Sequence, residues 1–124
     1  MIASGRYDWV NSDIEKNFSV KGNGRIELDT ELIHFNRFIG SDEVLKELDR
    51  LGYRAATAEE LLAFGAAYSE KQYEFPIVAL GTVRHGGGNR HVLYLWDDRS
   101  KRDLDLGWFD YDWGGGYRFL AVRK

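Results

Sequence analysis

The last fifty residues of the chain contain no glutamate, and this sets them apart from the residues before them. From Phe75 onward the acids are six aspartates, and this stretch also holds 8 of the 14 glycines and three of the four tryptophans. Asp and Gly favour turns and short polar loops, whereas Glu favours helices. The boundary near Phe75 therefore predicts mixed structure before it and an all-β segment after it.

The segment after this boundary is predicted to form an antiparallel meander of four strands, near residues 75–84, 90–96, 103–109 and 117–123. The connections between these apolar stretches are rich in Gly, Asp and Asn, the residues that tight turns favour. In the third stretch, apolar Leu104, Leu106 and Trp108 alternate with polar or small residues, a period that predicts one apolar and one polar face.

Two helices are predicted between residues 41 and 68. Ser41 precedes two acids and is an N-cap candidate, and Gly52 is placed to end the first helix. The second helix is predicted to begin at Thr57, because Thr57 and Glu60 have the spacing of a capping box. In that motif the hydroxyl accepts from one free amide of the first turn and the carboxylate accepts from another.

The first forty residues are predicted to form short strands. Phe18–Val20 and Arg25–Leu28 flank Gly22-Asn23-Gly24, and Asn-Gly is a strong hairpin signal. The 124 residues show no linker and no internal repeat, which predicts a single domain over 1–124. The predicted class is α+β, with two helices packed on an antiparallel β-sheet.

Composition excludes several functional classes. The chain is 44% apolar and 30% charged, which excludes a disordered polymer, and it contains no cysteine, which excludes disulfides, thiolate metal sites and cysteine nucleophiles. No apolar run approaches the ~18–20 residues of a membrane span, and no signal segment opens the chain. We therefore expect a cytoplasmic protein with no membrane partner.

Two segments resemble a known family. The run from Leu51 to Leu61, Leu-Gly-Tyr-Arg-Ala-Ala-Thr-Ala-Glu-Glu-Leu, resembles a segment of C-type-lectin-like domains in the branch that includes formylglycine-generating enzymes and the variable proteins of diversity-generating retroelements. The final run from Tyr117 to Arg123 is similar to the closing strand of the same branch. The resemblance implies a C-type-lectin-like fold used for display and binding.

The chain also departs from that family's patterns. Ala56 stands where the family has Pro, and the absence of Cys excludes the formylglycine-generating reaction. The sugar-binding signatures of calcium-dependent lectins, Glu-Pro-Asn and Gln-Pro-Asp, are absent, and Trp96-Asp97-Asp98 is only distantly similar to their Trp-Asn-Asp. The resemblance therefore implies a binding scaffold without an inherited reaction.

The leading candidate site is a group of aromatic and short polar residues around the last two turns. Rigid aromatic side chains beside small polar groups give a large contact area at low entropy cost, and their faces stack on sugar rings. This composition predicts a non-enzymatic surface that binds a protein or a glycan, or alternatively another copy of the chain in a homo-oligomer. Its residues are Trp96, Asp97, Asp98, Arg99, Trp108, Asp110, Tyr111, Asp112, Trp113 and Tyr117.

Metal binding and catalysis have weaker support, and no cofactor is expected. Asp97, Asp98, Asp110 and Asp112 could offer oxygen ligands to calcium, but their spacing matches no calcium loop. His85 and His91 bracket a Gly-rich turn and could face each other, yet no third zinc ligand accompanies them. Either histidine could act as the general base of a small hydrolase, and this alternative stays open.

Nucleic-acid or small-ligand binding is the remaining alternative. Basic residues interleave with aromatic residues after Phe75, as in proteins that bind single strands. However, this segment has 8 basic against 6 acidic residues and the preceding one 9 against 14, so the charge balance gives little attraction to nucleic acid. The basic residues are Arg84, Arg90, Arg99, Lys101, Arg102, Arg118, Arg123 and Lys124.

Overall fold

The computed structural model describes residues 7–10, 29–86, 88–98 and 101–124. It is an α+β domain with a mostly antiparallel sheet, as the sequence predicts. Two helices, α1 (Ser41–Arg50) and α2 (Ala58–Ala67), and a 3₁₀ turn (Lys71–Tyr73) accompany the strands. The strands are β1 (Trp9–Val10), β2 (Thr30–His34), β3 (Ile39–Gly40), β4 (Tyr53–Ala55), β5 (Ile77–Gly86), β6 (Asn89–Asp98), β7 (Lys101–Trp108), β8 (Asp112–Trp113) and β9 (Arg118–Arg123).

The main sheet has the strand order β1-β7-β6-β5-β9-β2. Strands β5, β6 and β7 form the predicted antiparallel meander, but the prediction that the fourth strand continues it is wrong. Strand β9 pairs in parallel with β5 and antiparallel with β2 and β4. Its residues Phe119 to Val122 are all buried, and such an apolar run suits a central strand that is covered on both faces.

The two helices lie on opposite faces of this sheet. Side chains alternate along β5, so Ile77 packs in the core beneath α2, whereas Val78 packs in the core beneath α1. Leu61 of α2 belongs to the first core and Leu48 of α1 belongs to the second. Both cores contain fully buried aliphatic side chains, which explains why the apolar run that begins at Ile77 is continuous rather than alternating.

The helix ends agree with the sequence at two of the three predicted positions. The hydroxyl of Thr57 accepts from the Glu60 backbone amide at 3.2 Å, and the Glu60 carboxylate accepts from the Thr57 amide at 2.8 Å, which confirms the capping box. Gly52 has φ +88° just after α1, as expected of a glycine that ends a helix. The N-cap of α1, however, is Gly40 and not Ser41. The Ser41 hydroxyl is buried and accepts a hydrogen bond from the Trp113 indole instead.

Two further predictions concern the first forty residues and the membrane. The hairpin predicted around Gly22-Asn23-Gly24 lies outside the described residues, whereas strands β1, β2 and β3 occupy the described parts of 1–40. In the described part of the chain, neither helix has the length and apolar character needed to cross a bilayer.

Candidate binding surface

Trp113 lies at the base of the candidate surface. Strand β8 pairs with β3, so that Trp113 lies opposite Ile39. The indole is only 2% exposed, and its Nε1–H donates to the Ser41 hydroxyl oxygen at 2.9 Å. The sequence groups Trp113 with the residues of the candidate surface, whereas the pairing of β8 with β3 places its ring in the core. A Cβ on Gly107 would lie 2.6 Å from the ring, so this glycine leaves the space that the indole fills.

Trp108 and Tyr111 are the exposed aromatic residues of the surface. Their side chains are 46% and 47% exposed, and their rings stack with centroids 5.4 Å apart and planes 27° apart. A tight turn holds the two residues, because the Tyr111 amide donates to the Trp108 carbonyl at 3.0 Å. The Tyr111 ring also meets the buried Trp113 ring edge-on, at 5.7 Å and 86°. The exposed pair is therefore supported from beneath by a residue of the core.

A cleft of about 430 Å³ lies beside Tyr111, between the start of α1 and the turn that connects β7 to β8. The pairing of Gly40 with Asp112 brings these two segments together. The cleft lining contains an aromatic side chain from each end of the turn and four carboxylates. The residues are Gly40, Ser41, Asp42, Glu43, Phe109, Asp110, Tyr111 and Asp112.

Two of the four carboxylates are paired with arginines. Arg90 forms an ion pair with Asp110 while its guanidinium lies 4.5 Å from the Phe109 ring centroid, and Arg37 contacts Glu43 at 2.9 Å. Each carboxylate raises the pKa of its arginine through a side-chain hydrogen bond. Asp42 and Asp112 form no ion pair with any residue in the described ranges. The cleft therefore keeps an excess of negative charge.

Tyr94 contacts the buried Trp113 and two further aromatic rings of the candidate surface. Its ring lies 6.4 Å from those of Trp96 and Trp113 and 6.3 Å from that of Tyr117. The Tyr94 hydroxyl donates to Asp105 at 3.3 Å, and burial together with this carboxylate raises the pKa of Tyr94. Burial also raises the pKa of Tyr117. These half-buried phenols stay protonated at neutral pH.

The predicted site residues thus fall into two groups. Trp108, Asp110, Tyr111, Asp112 and Trp113 lie around one turn, with Trp113 beneath the others. Trp96 and Asp97 are half-buried on β6, and among the described residues the ring of Trp96 contacts that of Tyr94. The side chain of Asp98 and all of Arg99 lie outside the described residues.

Neither the zinc pair nor the calcium set is assembled. The register of β5 and β6 places His85 opposite Arg90 and His91 opposite Arg84, so the two histidines do not face each other. Across the described ranges, no group of three or more His, Asp or Glu side chains is arranged to hold a metal ion. Neither His85 nor His91 lines the cleft beside Tyr111.

The basic residues do not form one open face. Arg102 is buried and donates to the Gly65 carbonyl at 3.0 Å, and Arg118 lies over the Phe75 ring. Arg123 pairs with Asp29 at 3.0 Å. The side chain of Lys101 is not described. Because these arginines already have protein partners, the structure adds no support to nucleic-acid binding.

Sequence reasoning missed the part of the site that α1 contributes. Ser41 and Asp42 carry a helix-start signal that accounts for them locally, and nothing in their spacing links them to residues seventy positions later. Tyr94 and Asp105 were not placed in the candidate surface, because a cross-strand pair depends on register. One signal could have indicated Asp105 as a site residue. It is a polar residue in a strand whose alternate residues are apolar.

Comparison with known proteins yields no match, whether with family models, curated proteins or solved structures. The C-type-lectin-like resemblance therefore stays a prediction from residues 51–61 and 117–123. Any function assigned to this chain is inferred from the geometry of its own residues.

Proposed function

We propose that this domain is a non-enzymatic recognition module that binds a protein or glycan ligand through Trp108 and Tyr111. The observation that carries the proposal is the stacked, half-exposed pair of rings, held by a turn and supported by the buried Trp113. Large aromatic side chains exposed together at a turn are more common in binding surfaces than elsewhere on a protein.

The physical reason is preorganisation. The free energy of binding is reduced by the entropy lost when mobile side chains become fixed. Here the stacking of Trp108 on Tyr111 and the edge-on contact with Trp113 restrict the rings before any ligand arrives. Their outer surfaces stay open to solvent, so a sugar ring or an apolar protein side chain can replace water there.

The other predicted residues have distinct roles in this proposal. Asp110 and Asp112 lie on the rim, where exposed carboxylates accept hydrogen bonds from ligand hydroxyl or amino groups. Trp113 acts as support, since its ring is buried. Trp96 and Asp97 are more remote members on β6. The C-type-lectin-like resemblance, which implies a scaffold for display and binding, is consistent with these roles.

The proposal is tested by a binding screen followed by single substitutions. The labelled domain is applied to a printed glycan array and to a peptide array, and each hit is measured again with Trp108→Ala and Tyr111→Ala. We expect each substitution to weaken binding at least ~10-fold, as for aromatic residues at the centre of an interface. Tyr73→Ala is the matched control, because Tyr73 is 43% exposed and does not line the cleft.

Thermal unfolding of all three variants separates binding from folding. Removing a half-exposed ring should change the midpoint by only a few degrees. Ligand binding that survives both Trp108→Ala and Tyr111→Ala would contradict the proposal. A collapse of stability in either variant would also contradict it, by assigning the ring to the core.

A further inference from the structure

We propose that the ligand is a protein partner that presents a basic segment, with an arginine or lysine side chain entering the cleft beside Tyr111. This inference rests on the proposed function and specifies the chemistry of the partner. The exposed aromatic pair, the size of the cleft and the charge along it together select a cationic occupant.

The charges determine which ligand fits. Asp42 and Asp112 line the same cleft as the Tyr111 ring and lack ion-pair partners in the described ranges. An incoming cation is attracted by both carboxylates and by the negative face of an aromatic ring. An anionic partner would be repelled by the same groups, so the surface discriminates by charge as well as by shape.

The same turn already contains this kind of contact. Arg90 lies over the Phe109 ring at 4.5 Å and pairs with Asp110, so this arginine combines an aromatic contact and an aspartate contact with two residues that line the cleft. Tyr111 and Asp112 follow in the chain and line the same cleft, and no cation of the described residues forms an ion pair with Asp112. A guanidinium of the partner supplies the cation for this ring and carboxylate.

The volume is consistent with one side chain and a short stretch of backbone. A cleft of about 430 Å³ is within the range of sites that enclose small ligands. Trp108 stacks on Tyr111 without lining the cleft, so an apolar residue next to the partner's basic residue can rest on it. A neutral glycan would use the rings but would leave the charge of Asp112 without a counterpart and that of Asp42 with only Arg90, which lies beyond ion-pair distance and whose pKa Asp42 raises.

The experiment uses a pair of peptides that differ only in charge. One fluorescein-labelled peptide has arginine at alternate positions between Gly and Ser, and the other has citrulline, an uncharged near-isostere of arginine, at the same positions. Binding to the full chain is followed by fluorescence anisotropy. We expect the arginine peptide to bind at least ~10-fold more tightly, and its affinity to fall as salt rises from about 50 mM to about 0.5 M.

Two double variants test the location. Asp42→Asn with Asp112→Asn should weaken the arginine peptide at least ~10-fold. Glu31→Gln with Glu70→Gln removes the same charge at exposed positions outside the cleft and should leave the affinity within about twofold. Equal effects of the two double variants would overturn the inference, because net charge alone would then explain binding.

The remaining outcomes distinguish this inference from the proposed function. Equal affinity for the arginine and citrulline peptides, or no affinity for either, overturns the inference. Array glycans whose binding requires Trp108 and Tyr111 but not Asp42 and Asp112 also overturn it while leaving the proposed function intact. Self-association that Trp108→Ala abolishes, measured by analytical ultracentrifugation, would identify a second copy as the occupant and would likewise overturn it.

Discussion

The indole N–H of Trp113 donates to the hydroxyl oxygen of Ser41 at 2.9 Å, and this bond joins the first residue of α1 to a strand seventy-two positions away. Both side chains are buried, so the bond forms out of contact with water. It restrains the Trp113 ring, whose centroid lies 5.7 Å from that of Tyr111. The shape of the candidate surface therefore depends on a contact between the helix and strand β8.

Removing the hydroxyl of this pair should destabilise the domain. Ser41→Ala leaves the Trp113 N–H buried without an acceptor, a loss of about 1–3 kcal/mol. Chemical denaturation measures the change in the free energy of unfolding. The double variant Ser41→Ala with Trp113→Phe should show that the two losses are not additive. Strict additivity would mean that the bond contributes nothing.

A methyl group added against the Trp113 ring should disturb the packing that supports the candidate surface. In Gly107→Ala the new Cβ lies 2.6 Å from the indole, so the ring or the strand must move, at a cost of about 1–3 kcal/mol. Gly116→Ala is the matched control, because no heavy atom lies within 4 Å of its added Cβ. We expect Gly107→Ala to lower the unfolding midpoint and to alter the near-ultraviolet circular dichroism of the tryptophans. Similar midpoints for the two variants would contradict the packing described here.

Acid should weaken the start of α2 through Glu60. Two hydrogen bonds from Arg54, at 2.7 and 2.8 Å, lower the pKa of the Glu60 carboxylate, with a further contribution from the Thr57 amide. A carboxylate whose pKa is lowered in the folded state stabilises that state above its unfolded pKa of about 4.3, and the contribution is lost as pH falls through the lower folded value.

The measurement compares Glu60→Gln with Glu59→Gln, a change at an exposed neighbour in the same turn. At neutral pH, Glu60→Gln should cost about 1 kcal/mol, since the pair is partly exposed. The difference from the parent chain should shrink below about pH 4. A difference that stays constant between pH 7 and pH 3 would show that the charge of Glu60 is not responsible.

Alkali should act on Tyr7. Burial raises the pKa of Tyr7 to about 12, even though the neighbouring Arg102 lowers it. A phenol whose pKa is raised on folding stabilises the folded state below its unfolded pKa of about 10, and that contribution is lost as pH rises toward 12. Tyr7→Phe should therefore lose less stability than the parent chain between pH 9 and pH 11.5 in urea denaturation. Equal losses would show that Tyr7 is accessible in the folded chain.

How far the sequence could predict the fold depends on whether a signal is local. The capping box at Thr57 and Glu60 needs only four consecutive residues, and it is present in the structure. The end of α1 at Gly52 could also be predicted, because the positive φ found there is a conformation that a single glycine favours. The strands of the β5–β7 meander follow from apolar stretches separated by turn-forming residues.

The candidate site could be predicted only in part. Its location at the turn before β8 follows from the cluster of Trp, Tyr and Asp in the last fifty residues. The sequence does not show that Trp108 and Tyr111 are exposed while Trp113 is buried. All three are large aromatic residues within six positions. Burial is decided by what packs against them.

The sequence by itself thus determined the α+β class, the helix ends at Gly52 and Thr57, and the region that carries the aromatic surface. Only the tertiary structure decided that β9 lies between β5 and β2, that Ser41 accepts from Trp113, and that the start of α1 forms one wall of the cleft. Local signals act through the conformations of a few adjacent residues. Strand order and burial depend on contacts between distant residues, whose free energies are settled only when both sides of the contact are in place.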